Sequence, residues 1–168
     1  RFATPLYATG LMDGVVAGPL WGEGRGDPSL VSERLWRLAE ELRLRGVRAV
    51  PEGIAVDAAF FGGAAQHPDW HPLSQRAYEA PTAAFAANYS TFRVEVWPAL
   101  EPGALARLDL APRADYFRTR AEARTVQGRG RLTLGIAQLA DASGERVYTS
   151  GSVAADGGPD SFWRSVAL

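Results

Sequence analysis

Apolar and polar positions change period along this chain, and each change predicts an element. Val31, Leu35, Leu38 and Leu42 recur at steps of four, three and four residues, which lays one apolar stripe along a helix. Asp27-Pro28 precedes the stripe. The carboxylate suits the free amides of a first turn, and proline suits the first helical position. Glu33 with Arg37 and Glu41 with Arg45 form i,i+4 pairs on the wet side, and Gly46 marks the stop. The spacing predicts a helix over 28–45. Ahead of it, Gly14 to Trp21 reads as a strand that ends in the glycine-rich turn Gly22-Glu23-Gly24-Arg25-Gly26. Behind it, Val47 to Val50 reads as a second strand closed by Pro51. Together these make a β-α-β unit, whose crossover should be right-handed.

From Ser90 the period becomes two. Phe92, Val94 and Val96 alternate with Arg93 and Glu95. Tyr116 to Thr125 alternates again, with Arg118, Arg120, Glu122 and Arg124 on one face. Leu132, Leu134 and Ile136 share a face of the next strand, and Val147, Thr149 and Val153 continue the series. Asp141-Ala142-Ser143-Gly144 has the composition of a hairpin turn, with Gly144 free to become left-handed. A three-strand antiparallel meander follows from this order. Pro102 to Leu110 reads as a short helix, and Phe162 and Val166 begin a helix that runs to the C-terminus.

The expected fold class is therefore α+β (mixed α/β), a single domain over 1–168. A β-α-β unit is followed by the meander and a C-terminal helix, with Val31, Leu35, Leu38, Leu42, Val94, Leu134, Ile136 and Val147 in the core. Between the two halves, Ile54 to Phe61 reads as a strand, and residues 62–89 carry no period. His67 to Pro72 excludes regular structure, because each proline removes an amide and restricts its predecessor. Residues 62–89 thus read as a proline-rich aromatic insertion, a loop.

Composition narrows the function classes. The 168 residues, 46% hydrophobic, suit one globular domain. Zero cysteines exclude a disulfide scaffold, a zinc-thiolate site and a thiol nucleophile. A net charge of −1 argues against a nucleic-acid partner. No apolar run approaches the ~20 residues of a transmembrane helix. All 18 basic residues are arginine. The first residue is Arg1 rather than Met, which reads as a trimmed chain and leaves room for an upstream signal peptide or lipid-bearing cysteine.

The candidate chemistry is sparse. The glycine turn fails the dinucleotide fingerprint at its sixth position, Asp27, and without lysine there is no Walker motif. His67 and His71, with Asp57 and Asp69, have metal-ligand chemistry, but Pro68 and Pro72 forbid the helix that would align the two imidazoles. Ser150-Gly151-Ser152 is not a nucleophile elbow. No catalytic residue, cofactor or metal is expected, and the chain reads as a non-enzyme. The arginine row reads as a solvated strand face, and the sequon Asn88-Tyr89-Ser90 as chance. Trp70, Tyr78, Phe85 and Tyr89 in the insertion are candidate anchors for a protein partner.

Ala114-Asp115-Tyr116-Phe117, Leu132-Thr133-Leu134 and Asp141 through Tyr148, with its D-x-x-G-E turn, resemble an envelope pattern. They are similar to the second half of curli-secretion, penicillin-binding-protein-activator and TolB amino-terminal domains, and the β-α-β unit would match the first half. That resemblance implies a non-enzymatic accessory or assembly subunit of a bacterial cell-envelope complex. Such a protein would bind other envelope proteins and sit in the periplasm or at the outer membrane. A rival resemblance rests on Leu100-Glu101-Pro102-Gly103-Ala104 with the strands after it, and on Phe61-Gly62-Gly63-Ala64-Ala65. It looks like a hot-dog-fold thioesterase or dehydratase acting on acyl thioesters, and it requires a long buried helix after Gly63.

Overall fold

The computed structural model describes residues 2–63, 65–71, 74–141 and 143–166. Ala64, Pro72 of the expected loop, Ala142 of the expected turn, and Ala167 and Leu168 of the expected last helix lie outside the described residues. The architecture is mixed α/β, mostly strands with one α-helix among the described residues. The chain divides into two compact units, Arg1–Pro72 with Glu79–Ser90 and Leu73–Tyr78 with Thr91–Leu168. Residues 62–89 are divided between them; among the described residues there is no α-helix, and 3-10 turns lie at Ala77–Glu79 and Asn88–Ser90.

The first unit contains β1 (Leu6–Tyr7), β2 (Leu11–Met12), β3 (Val15–Val16), β4 (Leu20–Glu23), α1 (Ser32–Leu44) and β5 (Ile54–Asp57). Its sheet runs β1-β4-β5, with β1 antiparallel and β5 parallel to β4. The expected strand from Gly14 is corrected: Asp13 and Gly14 are both left-handed, at φ 50 and 80, and fold β3 back on β2 as a tight hairpin. The strand leading to the helix is therefore β4. Val47 to Val50 is not a strand either, since only Ala49 bridges to Val15, and the parallel partner of β4 is β5. The helix begins at Ser32 rather than Pro28. Asp27 spends its carboxylate on the Ser29 amide at 2.9 Å and the Ser29 hydroxyl, closing a turn of its own. The helical stripe is correct in period but shallow in burial. Leu35 is 38% exposed and no α1 residue is fully buried, whereas Leu30, off the stripe, is 2% exposed.

The second unit holds β6 (Thr91–Trp97), β7 (Arg107–Ala111), β8 (Phe117–Ala121), β9 (Arg124–Val126), β10 (Leu132–Gln138), β11 (Glu145–Ala154) and β12 (Asp160–Ser165). One sheet is β12-β6-β7, all antiparallel. In the other, β11 takes β10 antiparallel along one edge and β8 and β9 in parallel along the other. The expected meander is thus corrected, because alternation reports which face a residue occupies and not which strand lies beside it. The helices expected at Pro102–Leu110 and at the C-terminus are replaced by β7 and β12. The core is Phe92, Val94, Val96, Ala106, Leu110, Ala123, Val147 and Val153, with Leu134 and Ile136 half-buried against it. Phe92 stacks on Phe117 at 4.4 Å between ring centres.

Candidate functional site

Polar and aromatic groups converge most clearly on one face of the β1-β4-β5 sheet. Register sets Tyr7 opposite Trp21 and Trp21 opposite Ala55, with Glu23 opposite Asp57. Directly opposed residues share a face, and so do i and i+2 on one strand. Tyr7, Trp21, Glu23, Ala55 and Asp57 are therefore coplanar neighbours. Tyr7, Trp21, Gly22, Glu23 and Asp57 line an open cavity of about 330 Å³.

The Tyr7 hydroxyl donates to Glu23 Oε2 at 3.0 Å. Arg25 forks onto the same carboxylate, Nε to Oε1 at 2.8 Å and Nη2 to Oε2 at 3.1 Å. The Arg25 hydrogen bond, and then that from Tyr7, hold the Glu23 carboxyl below the usual carboxylate range. The hydrogen bond to Glu23 raises the Tyr7 phenol, which stays protonated as a donor. Asp57 Oδ1 accepts the Ala59 amide at 2.9 Å. This arrangement offers stacking surface and fixed hydrogen-bonding groups.

The neighbouring glycine turn is explained by packing. A side chain at Gly24 would meet the Ala84 and Phe85 backbone at 2.6 Å, and Gly26 is left-handed at φ +68 beneath the Phe61 ring. Glycine is demanded by close approach at Gly24 and by the backbone conformation at Gly26.

The four expected anchor residues are distributed over both units. Trp70 is half-buried, with its ring 5.9 Å from that of His67. Phe85 is half-buried against Gly22, and Tyr89 is exposed with a left-handed backbone at φ 58. These three belong to the first unit and Tyr78 to the second, where Arg76 donates to its hydroxyl at 2.8 Å. His67 Nδ1 lies 3.7 Å from Asp69 Oδ2. Among the described residues, no three His, Asp or Glu side chains are grouped to hold a metal. In the arginine row, Arg120 pairs with Glu122, while Arg118 and Arg124 donate to the carbonyls of Asp115 and Gly103. Sequence reasoning passed over Tyr7, Glu23, Arg25 and Asp57 as a group. The i,i+2 spacing of Trp21 and Glu23 was visible, but a two-residue β1 carries no readable period.

A model of the D-Ala-D-Ala carboxypeptidase 3 (S13) family matches residues 1–167, and the chain belongs to that family. Its fold is similar to penicillin binding protein 4 (dacB) from Haemophilus influenzae, with a TM-score of 0.69, 19% identity and 97% of this chain covered. The same protein complexed with a novel β-lactam matches at a TM-score of 0.57, 18% identity and 97% coverage. The chain spans only about a third of those proteins, 36% and 33% of their lengths.

The family match corrects the likeness to curli-secretion, activator and TolB-type domains. It also overturns the reading as a non-enzymatic, protein-binding subunit, because the family is one of carboxypeptidase enzymes. The hot-dog alternative has no support, and the helix it needs after Gly63 is absent from the described residues. An envelope setting agrees with the family, whose enzymes are periplasmic.

Proposed function

We propose that this chain is a segment of a periplasmic D-Ala-D-Ala carboxypeptidase, and that it supports and shapes the enzyme while the attacking serine lies elsewhere in the longer protein. The family match over residues 1–167 carries this reading. Removal of the last D-Ala from a peptide ending in D-Ala-D-Ala is an acyl transfer to a nucleophile and then to water. Penicillin-binding proteins perform it with Ser-x-x-Lys and Lys-Thr-Gly motifs. This sequence contains no lysine, so neither motif can be built from its residues. The step β4–α1–β5 is read as a β-α-β unit that holds the Tyr7–Trp21–Glu23 face rigid.

The test uses the longer protein that contains these residues. Fluorescent penicillin should label it, and it should release D-Ala from a peptide ending in D-Ala-D-Ala. Peptide mapping should place the label on a serine outside residues 1–168. Label on any serine within residues 1–168, or an unlabelled and inactive protein, would overturn the proposal.

A further inference from the structure

Exposure alone singles out nothing on the β1-β4-β5 sheet, since Ile54 and Val56 on the opposite face of β5 reach solvent as freely as Tyr7 and Trp21. The Tyr7 side differs in chemistry and in shape. Tyr7 and Trp21 stand side by side on adjacent strands, 52% and 45% exposed, and Ala55 opposite Trp21 is too short to cover the indole. The next row on the same side is Glu23 opposite Asp57. Two rings thus border two carboxylates around a cavity of about 330 Å³, within the roughly 300–1,000 Å³ of small-ligand sites.

We infer that this cavity is a sugar-binding subsite. Trp21 and Tyr7 stack on the apolar face of a neutral pyranose ring within an oligosaccharide, and Asp57 and Glu23 accept hydrogen bonds from its hydroxyls. A pyranose presents C–H bonds on one face and hydroxyls round its edge, so it calls for an aromatic platform beside fixed acceptors. The acceptors are at hand. Asp57 spends Oδ1 on the Ala59 amide, and its Oδ2 has no partner among the described residues. Glu23 Oε1 accepts from Arg25 Nε alone and keeps a lone pair. The Tyr7 ring is held before any ligand arrives, its hydroxyl tied to Glu23 and Glu23 to Arg25, which lowers the ordering cost of binding.

Charge and shape favour a neutral ligand. Glu23 and Asp57 together outweigh the single cation, Arg25, which disfavours an anion. Rings that hold a cation enclose it, whereas directly opposed side chains on one sheet make a platform, and the Arg25 guanidinium already sits on Glu23.

The test uses the longer protein that contains these residues, titrated with chitotetraose and with cellotetraose by calorimetry and observed by saturation-transfer difference NMR. At least one of the two sugars should bind, with saturation strongest at its ring C–H protons. Trp21→Ala should weaken binding about tenfold. Asp57→Asn should weaken it as well, and Trp36→Ala on α1 should not. If Trp21→Ala does not fold, Asp57→Asn decides alone. Binding of neither sugar, binding unchanged in Asp57→Asn or in a folded Trp21→Ala, an equal loss in Trp36→Ala, or binding of choline in place of the sugars would overturn the inference. D-Ala release by the same preparations separates this subsite from the reading under Proposed function. Active protein that binds neither sugar sinks only the subsite, whereas sugar-binding protein that neither releases D-Ala nor binds penicillin sinks only the functional reading.

Discussion

Asn88 caps α1 from 56 positions further along the chain. Its Oδ1 accepts the Ser32 amide at 3.0 Å and its Nδ2 donates to the Ser32 hydroxyl at 2.9 Å. The residue at the N-cap position itself, Val31, has no side-chain oxygen to offer. Asn88 also donates its backbone amide to Leu30, from a left-handed conformation at φ 51 that asparagine tolerates better than most residues.

Asn88→Ala should therefore destabilise the first unit by about 0.5–2 kcal/mol. Asn88→Gly, which keeps the backbone and loses the cap, should recover part of that loss. Urea unfolding of both variants measures the difference. A loss under a few tenths of a kcal/mol in Asn88→Ala would mean the cap contributes nothing.

That contact shows why part of the fold was legible in sequence and part was not. The α1 period, the β6 alternation and the burial of Val94 and Val147 follow from local patterning, and all are present. The start of α1 was misplaced because its cap comes from Asn88, whose sequon reading drew attention to chance. Strand order was misread because β11 sits between β10 and β8, a choice fixed by non-local packing. The Tyr7–Glu23 pair was invisible for the same reason, since it depends on the register of β1 with β4.

Gly144 is required for close approach rather than for an unusual backbone. A Cβ there would collide with the Tyr116 carbonyl oxygen, where β8 enters its parallel pairing with β11. Gly144→Ala must push backbone aside and should cost about 1–3 kcal/mol. Gly158→Ala, with nothing within 4 Å of the new methyl, is the control and should change stability by less than about 0.5 kcal/mol. Equal melting temperatures for the two variants would refute the argument.

Asp109 gives a pH dependence whose sign is fixed. Hydrogen bonds from Arg113, Nε to Oδ1 at 2.9 Å and Nη2 to Oδ2 at 2.8 Å, are the main cause holding its carboxyl below the ordinary range. A depressed native pKa stabilises the fold above the unfolded value near ~3.9, and that contribution is lost as pH falls through the native pKa. Arg113→Ala should move the Asp109 carboxyl resonance in an NMR titration up toward its unfolded value. It should also make stability less sensitive to acid over that interval. An unchanged Asp109 titration would show that the ion pair does not form in solution.

Phe92 and Leu38 belong to different units, and their truncations should differ in cost. Phe92 is 1% exposed and stacked on Phe117, so Phe92→Ala removes a filled ring site and should cost about 3–5 kcal/mol. Leu38 is half-buried and already borders open volume beside Leu6 and Leu42, so little new cavity is created on truncation. Leu38→Ala should fall below the ~2–5 kcal/mol typical of a buried leucine. Because the chain divides into two compact units, the two losses should also differ in place. Native-state hydrogen exchange reads this residue by residue. Phe92→Ala should lower protection in β6, β7, β11 and β12 more than in β4 and β5, and Leu38→Ala should do the reverse. A uniform loss across all protected amides in both variants would mean that the units open only together, and the separate-core argument would fail.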